Sequence, residues 1–187
     1  MIGMRYDCNY KGDRLFSVNA DRFSVRKKKV GLFRFGLMSE AFLQNGVIDI
    51  YSSSWRQEEI GGKNPEIVLD GKTLSANDLL FQEMISVIHA KRLTSMEIMP
   101  VSIAFHDGLQ GDARISAKAA SVRLKDRGVL FVGDVRLETG SKMLKTSRLL
   151  LDPASEEITL RNGFVIIANN QERSGTELVS DIFLKSF

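Results

Sequence analysis

Two histidines, one cysteine and one run of cations are the residues whose types could do chemistry in this chain of 187: His89, His106, Cys8 and Arg26-Lys27-Lys28-Lys29. Histidine is the usual base and metal ligand near neutral pH, and His106 stands beside Asp107. Two histidines without a third ligand at a suitable spacing do not compose a catalytic or metal centre, so both read as surface residues. Cys8 lies in a polar segment without a paired histidine and reads as incidental. The sequence contains no GxSxG, P-loop, HExxH or GxGxxG signature, so neither an enzyme nor a cofactor is expected. The cationic run lies in an expected hairpin turn and has no aromatic residues interleaved, unlike a platform for single-stranded nucleic acid. It reads as a solvated turn. Its second use would be against an anionic membrane surface or lipid phosphate, where each basic residue is worth about 1 kcal/mol.

Composition narrows the classes further. Twenty-six basic and 23 acidic residues leave a formal charge of +3, a mild excess that suits anionic lipid but falls short of a nucleic-acid signature. The length is that of one domain, able to bury roughly 70% of its unfolded surface without disulfide or metal. A single cysteine forms no intrachain disulfide and leaves the redox compartment open. No run of about 18 apolar residues is present, and Met1–Tyr10 lacks the apolar centre of a signal peptide.

The elements that must position these residues are mostly strands. Within 113–167, five short segments alternate apolar and polar residues between turn signals at Lys125-Asp126-Arg127-Gly128, Thr139-Gly140-Ser141 and Asp152-Pro153-Ala154-Ser155. Ile115, Ala117 and Ala119 fall on one face of a strand, and Val129, Phe131, Val135 and Leu137 on one face of the next. A period of two with a turn every ten to twelve residues predicts an antiparallel meander.

The same stretch carries Ala117-x-x-Ala120, Gly133-Asp134-Val135, Leu144-x-Thr146-x-x-Leu149-x-Leu151-Asp152, Ile158 and Phe164-Val165-Ile166 in that order. In this it resembles the OstA/LptC-like family of periplasmic lipopolysaccharide-transport proteins. The closing Gly175-Thr176-Glu177-Leu178-Val179-Ser180-Asp181 is similar to the short terminal strand of such domains. The match covers roughly residues 113–184, with a fainter echo near the N-terminus.

That echo is an internal repeat. Arg14–Arg26 alternates with Phe16, Val18 and Ala20 on one face, and Lys27–Gly31 is expected to turn the chain into Leu32–Met38. Shifted by 97, Ala20, Ser24, Val25, Arg26, Gly31 and Gly36 meet Ala117, Ser121, Val122, Arg123, Gly128 and Gly133. Six identities in seventeen positions suggest a duplicated hairpin. Gly46–Tyr51 reads as a further short strand, and Trp55 falls in a polar loop. Ile67–Leu69 ends at the turn signal Asp70-Gly71. Ser75–Leu93 departs from the pattern. Ser75 and Asp78 fit a capping box, and Leu80, Phe81, Met84, Ile85, Val87 and Ile88 form a stripe at helical spacing, so an amphipathic helix is expected over about 76–91. It would cover one end of the β-core, or act as a lid or lie on a membrane. Met96–Phe105 returns to strand, with Pro100 placing it at an edge or a bulge.

The expected fold is therefore an all-β, elongated antiparallel β-roll or jellyroll over 1–187. An N-terminal β half at 1–72 and a C-terminal β half at 94–187 flank the helix. The resemblance implies a periplasmic bridge that passes lipopolysaccharide or a similar amphiphile to another β-roll. It also implies an inner-membrane transporter as partner, and an N-terminal anchor lying before residue 1 of this sequence. Burying an acyl chain along the inner face would gain about 0.8 kcal/mol per CH₂. Carried over to matching positions, the groove residues are Ile115, Ala117, Val129, Phe131, Val135, Leu149, Phe164 and Ile166. The docking edge is Glu177–Leu184, with Leu178, Ile182 and Leu184 facing the partner. The alternative is a scaffold with a closed, ligand-free interior. A carbohydrate-binding module would need exposed aromatics on a flat face, which one Trp and three Tyr support poorly.

Overall fold

The period of two runs further than the turn signals suggest, and it builds strands of up to 19 residues. The computed structural model describes residues 2–10, 13–30, 33–51, 67–69, 72–74, 93–107, 111–123, 128–152 and 155–185, and the regular elements within them are all strands. They are β1 (Ile2–Tyr10), β2 (Asp13–Val30), β3 (Phe33–Tyr51), β4 (Ile67–Leu69), β5 (Lys72–Leu74), β6 (Leu93–Asp107) and β7 (Gly111–Ala117). After them come β8 (Ala119–Arg123), β9 (Val129–Thr139), β10 (Lys142–Asp152), β11 (Glu157–Leu160), β12 (Phe164–Ala168), β13 (Gln171–Gly175) and β14 (Leu178–Asp181). The amphipathic segment expected as a helix over about 76–91 lies outside the described residues. Among the described residues no helix is long and apolar enough to cross a membrane.

Twelve strands form one large sheet, and β4 and β5 pair on either side of the Asp70-Gly71 turn signal as a separate hairpin. The protein is all-β, with the architecture of a β-roll. Among the described residues every pairing is antiparallel except one: β3 and β6 run parallel, from Ser39 opposite Leu93 to Tyr51 opposite His106. The chain leaves β3 at Tyr51 and rejoins the sheet at Leu93, and a connection of that length lets it return to the end where β3 began. The antiparallel order expected throughout fails at this junction, and the sheet is mixed.

A crease crosses the sheet and divides it into two halves that share their long strands. In the lower half the order is β1-β2-β3-β6-β7-β9-β10-β12-β13, and in the upper half β2-β3-β6-β8-β9-β10-β11-β14. Along each strand inner residues recur every second position, except on this line. There Ala20 is followed by Phe23, Leu43 by Gly46, Ile98 by Val101, Ala117 by Ala120 and Thr146 by Leu149, each three apart, and in β9 Phe131 by Val135, four apart. The backbone leaves the pleat at the same places. Asn45 takes φ 54, Gly133 and Asp134 take φ 80 and 48, and the Met99–Pro100 peptide bond is cis. Lys118 separates β7 from β8, and the pairing of β10 on β9 slips between Thr146 and Arg148. An added residue bends a strand and turns its later side chains back toward the core, which is how sheets make corners. Inner residues of both halves, from Ala20 to Leu184, consequently pack in one cluster.

Several local expectations shift for this reason. Phe16, Ala20, Val129, Phe131, Val135 and Leu137 are buried on the inner side as expected. Ala119 is not on the same side as Ala117: it lies across the crease, paired with exposed Val132, and Ala120 takes the inner place. The cationic run is not a turn, because β2 continues to Val30 and pairs with β3 up to Phe33. Gly46–Tyr51 is the last part of β3, kinked at Asn45, and not a strand of its own. Of the edge or bulge expected at Pro100, the structure shows the irregularity: the residue sits at the crease in a strand paired on both sides.

Candidate functional site: the crease and the inner apolar face

The crease is tied by groups that the sequence places there. The Lys118 backbone N–H donates to the Gly133 carbonyl at 2.9 Å, and the Lys118 ammonium lies 2.6 Å from the Asp134 carboxylate. Asn45 Nδ2 donates to Asp21 at 2.5 Å. Thr146 Oγ1 donates to the Gly163 carbonyl at 2.7 Å, and Gly163 N–H donates to the Thr176 carbonyl at 3.0 Å. Ala117-x-x-Ala120, Gly133-Asp134-Val135 and Thr146 all stand on this line. Their spacing thus has a physical meaning: small residues and a glycine with positive φ let adjacent strands bend together.

At Asp134 the hydrogen bond from Lys118, and then its positive charge, hold the carboxyl below the usual carboxylate range. Because the folded value is the lower one, this pair adds stability above the unfolded carboxylate pKa and loses it as pH falls through the folded value. Both groups are about 70% exposed, so the contribution is small. Lys118→Met should raise the Asp134 titration midpoint, read by carboxyl NMR; an unchanged midpoint would show that the pair does not persist in solution.

The structure brings the expected groove residues together on the inner face, packed in one cluster. Ile115, Phe131 and Leu149 are completely buried, Val135 and Ile166 nearly so, and Ala117 and Val129 retain under a tenth of their surface. Phe164 alone among them is half-buried, and its ring lies over Gly175, leaving no room there for a Cβ.

The expected docking edge divides in two. β14 is an edge, since among the described residues it pairs with β11 alone, and Val179 on it is 62% exposed. Leu178 is half-buried there. Ile182 and Leu184, expected to face a partner, are instead buried in the core together with Phe183. Asp181 ends the strand: its carboxylate accepts from Phe183 N–H at 2.7 Å and its carbonyl from Leu184 N–H at 3.2 Å. The chain therefore turns inward as an irregular strap.

One polar cluster on the outer face was not legible in the sequence. His106, read as a surface residue, has Nε2 3.3 Å from Asp49 and Nδ1 3.3 Å from Asp112, and its ring stacks on Tyr51 at 4.8 Å. Ser17 also donates to Asp49, and the Arg14 guanidinium lies 6.0 Å from the Tyr51 ring centre. Asp49 is 57 positions from His106 in sequence, and only the parallel β3–β6 pairing brings them together. Both ring nitrogens face carboxylates, so the cluster braces β2, β3, β6 and β7 and leaves no nitrogen directed at a substrate. Among the described residues no group of three or more His, Cys, Asp or Glu is placed to hold a metal ion.

Compared with models of known families and with curated proteins, the chain matches none.

Proposed function

We propose that this protein is a non-catalytic lipid-binding bridge of the cell envelope. Its inner face takes the acyl chains of lipopolysaccharide or a similar amphiphile, and its sheet edges join other β-rolls. The observation that carries the proposal is the inner face itself. It is apolar on both sides of the crease, from Phe16 in β2 to Leu160 in β11. Among the described residues the sheet closes on neither side, ending at β1 in one direction and at β13 and β14 in the other. An unpaired edge accepts a partner strand by backbone hydrogen bonding, so apolar faces of joined rolls would continue from one molecule to the next. The family likeness, with its motif residues on the crease, supports the same reading, including a periplasmic location beside the inner membrane.

The full burial of Ile115, Phe131 and Leu149 favours a second reading, a scaffold that joins partners through its edges and holds no lipid. Native mass spectrometry with purified lipopolysaccharide separates the two. The bridge predicts a one-to-one adduct that survives dilution. A protein that stays lipid-free at every ratio is the scaffold.

A further inference from the structure

We infer that the Ile182–Leu184 strap is a displaceable occupant of the inner face, and that its place is the seat of an acyl chain bearing an anionic head group. This rests on the lipid-binding reading above. Three features of the strap set it apart from the strands around it.

The strap is buried without belonging to the sheet. Ile182 and Leu184 are completely buried, Phe183 nearly so, and their side chains supply hydrocarbon of the kind an acyl chain would. Among the described residues its hydrogen bonds are these. Ile182 N–H donates to the Glu156 carbonyl at 3.0 Å, Asp181 takes the next two amides, and the Lys142 ammonium donates to the Leu184 carbonyl at 2.5 Å. A strand in the sheet interior, by contrast, is bonded along both sides.

The strap is also held against its backbone preference. Leu184 takes φ 51, in the left-handed region that bulky side chains rarely adopt. Apolar burial keeps the strap in and backbone strain opposes it. An acyl chain could supply the same burial without that strain.

Through Lys142 the strap is linked to a concavity that bears charge. Lys142 pairs with Ala168 in register. Ile166, Ala168, Asn169, Gln171 and Arg173 line a small, open concavity of about 90 Å³. Arg173 lies opposite Ile166 on the neighbouring strand and is exposed. An acyl chain entering where the strap leaves would have Ile166 and Ala168 along it. A carboxylate or phosphate at its end would meet Arg173 and the Lys142 ammonium, freed from the Leu184 carbonyl.

A ligand that competes with an internal occupant binds with its intrinsic affinity reduced by the fraction of molecules in which the place is vacant. Loosening the strap should therefore tighten binding. The probe is a fluorescent long-chain fatty acid, titrated into wild type, Asp181→Ala and Leu184→Ala, with an uncharged alcohol of equal chain length as control. Circular dichroism verifies the sheet in each, and Asp181→Ala, which removes the carboxylate that holds the Phe183 amide, keeps the test open if Leu184→Ala unfolds. Either loosened variant should bind the fatty acid about tenfold more tightly than wild type. Adding Arg173→Glu should reverse much of that gain for the acid and leave the alcohol unaffected. If wild type binds and loosening changes nothing, the strap is a fixed part of the core and this inference is wrong while the lipid reading stands. If neither wild type nor the loosened variants bind, both are wrong.

Discussion

Phe131→Ala should lower the unfolding free energy by about 3–5 kcal/mol, the usual cost of emptying a buried aromatic site. Phe131 is completely buried in β9 two positions before Gly133 at the crease, directly opposite Leu149 in β10 and Ala120 in β8. All three strands belong to the same sheet, so the cavity cannot close without dragging the bend with it, and the value should fall in the upper part of that range. Urea denaturation followed by circular dichroism measures it. A loss under about 1 kcal/mol would mean that the interior is loosely filled. The same burial fixes what Phe131→Asp would do. An unpaired carboxylate there has no hydrogen-bonding relief, so the variant should not fold and cannot report on lipid.

The second large effect concerns the close approach of β3 and β6 at the crease. A Cβ added at Gly46 would lie 2.2 Å from Ile98 Cγ2, and Ile98 is completely buried. Gly46→Ala should therefore cost about 1–3 kcal/mol through overpacking. Ile98→Ala alone should cost about 2–5 kcal/mol through the cavity it leaves. Together they should cost less than the sum by about 1 kcal/mol, because the alanine at 98 removes the atom that the new methyl meets. Strict additivity in this cycle would place the two strands farther apart than described.

The legible part of this fold was whatever depends on local alternation. Phe16, Val18 and Ala20 signal a half-buried strand by period two alone, and so do Val129 and Phe131. Val135 and Leu137 keep the side that alternation predicts because the bulge in β9 spaces inner residues four apart, which keeps the parity. Where the spacing is three the parity flips, and Ala119 lies on the face opposite to the one alternation predicts. A sequence pattern shows which residues alternate, but not where several strands leave the pleat together. The strap is hidden from a sequence pattern for a related reason. Leu178, Ile182 and Leu184 continue the even-numbered alternation of a strand, while the turn that ends it depends on bonds from Asp181 that spacing does not reveal.

Long-range placement was the other limit. The parallel pairing of β3 with β6 is a long-range feature that neither strand's composition records. The brace around His106 depends on that pairing and was invisible with it. The internal repeat was partly sound. Ala20 and Ala117 are the last inner residues before the crease in their strands, and Val25 and Val122 are inner positions beyond it. Gly36 and Gly133 do not correspond, because Gly133 stands on the crease whereas β3 bends at Asn45.

The central claim is that lipid occupies the inner face, and photocrosslinking by position tests it most directly. Phe164 is suitable for a benzophenone amino acid, since it is an inner aromatic residue that is only half-buried. Leu150, on the outer face and 46% exposed, is the matched control. With lipopolysaccharide present, irradiation should yield an adduct from position 164 and none above background from 150. Adducts of equal yield from both positions, or none from 164 in a folded protein, would contradict the account.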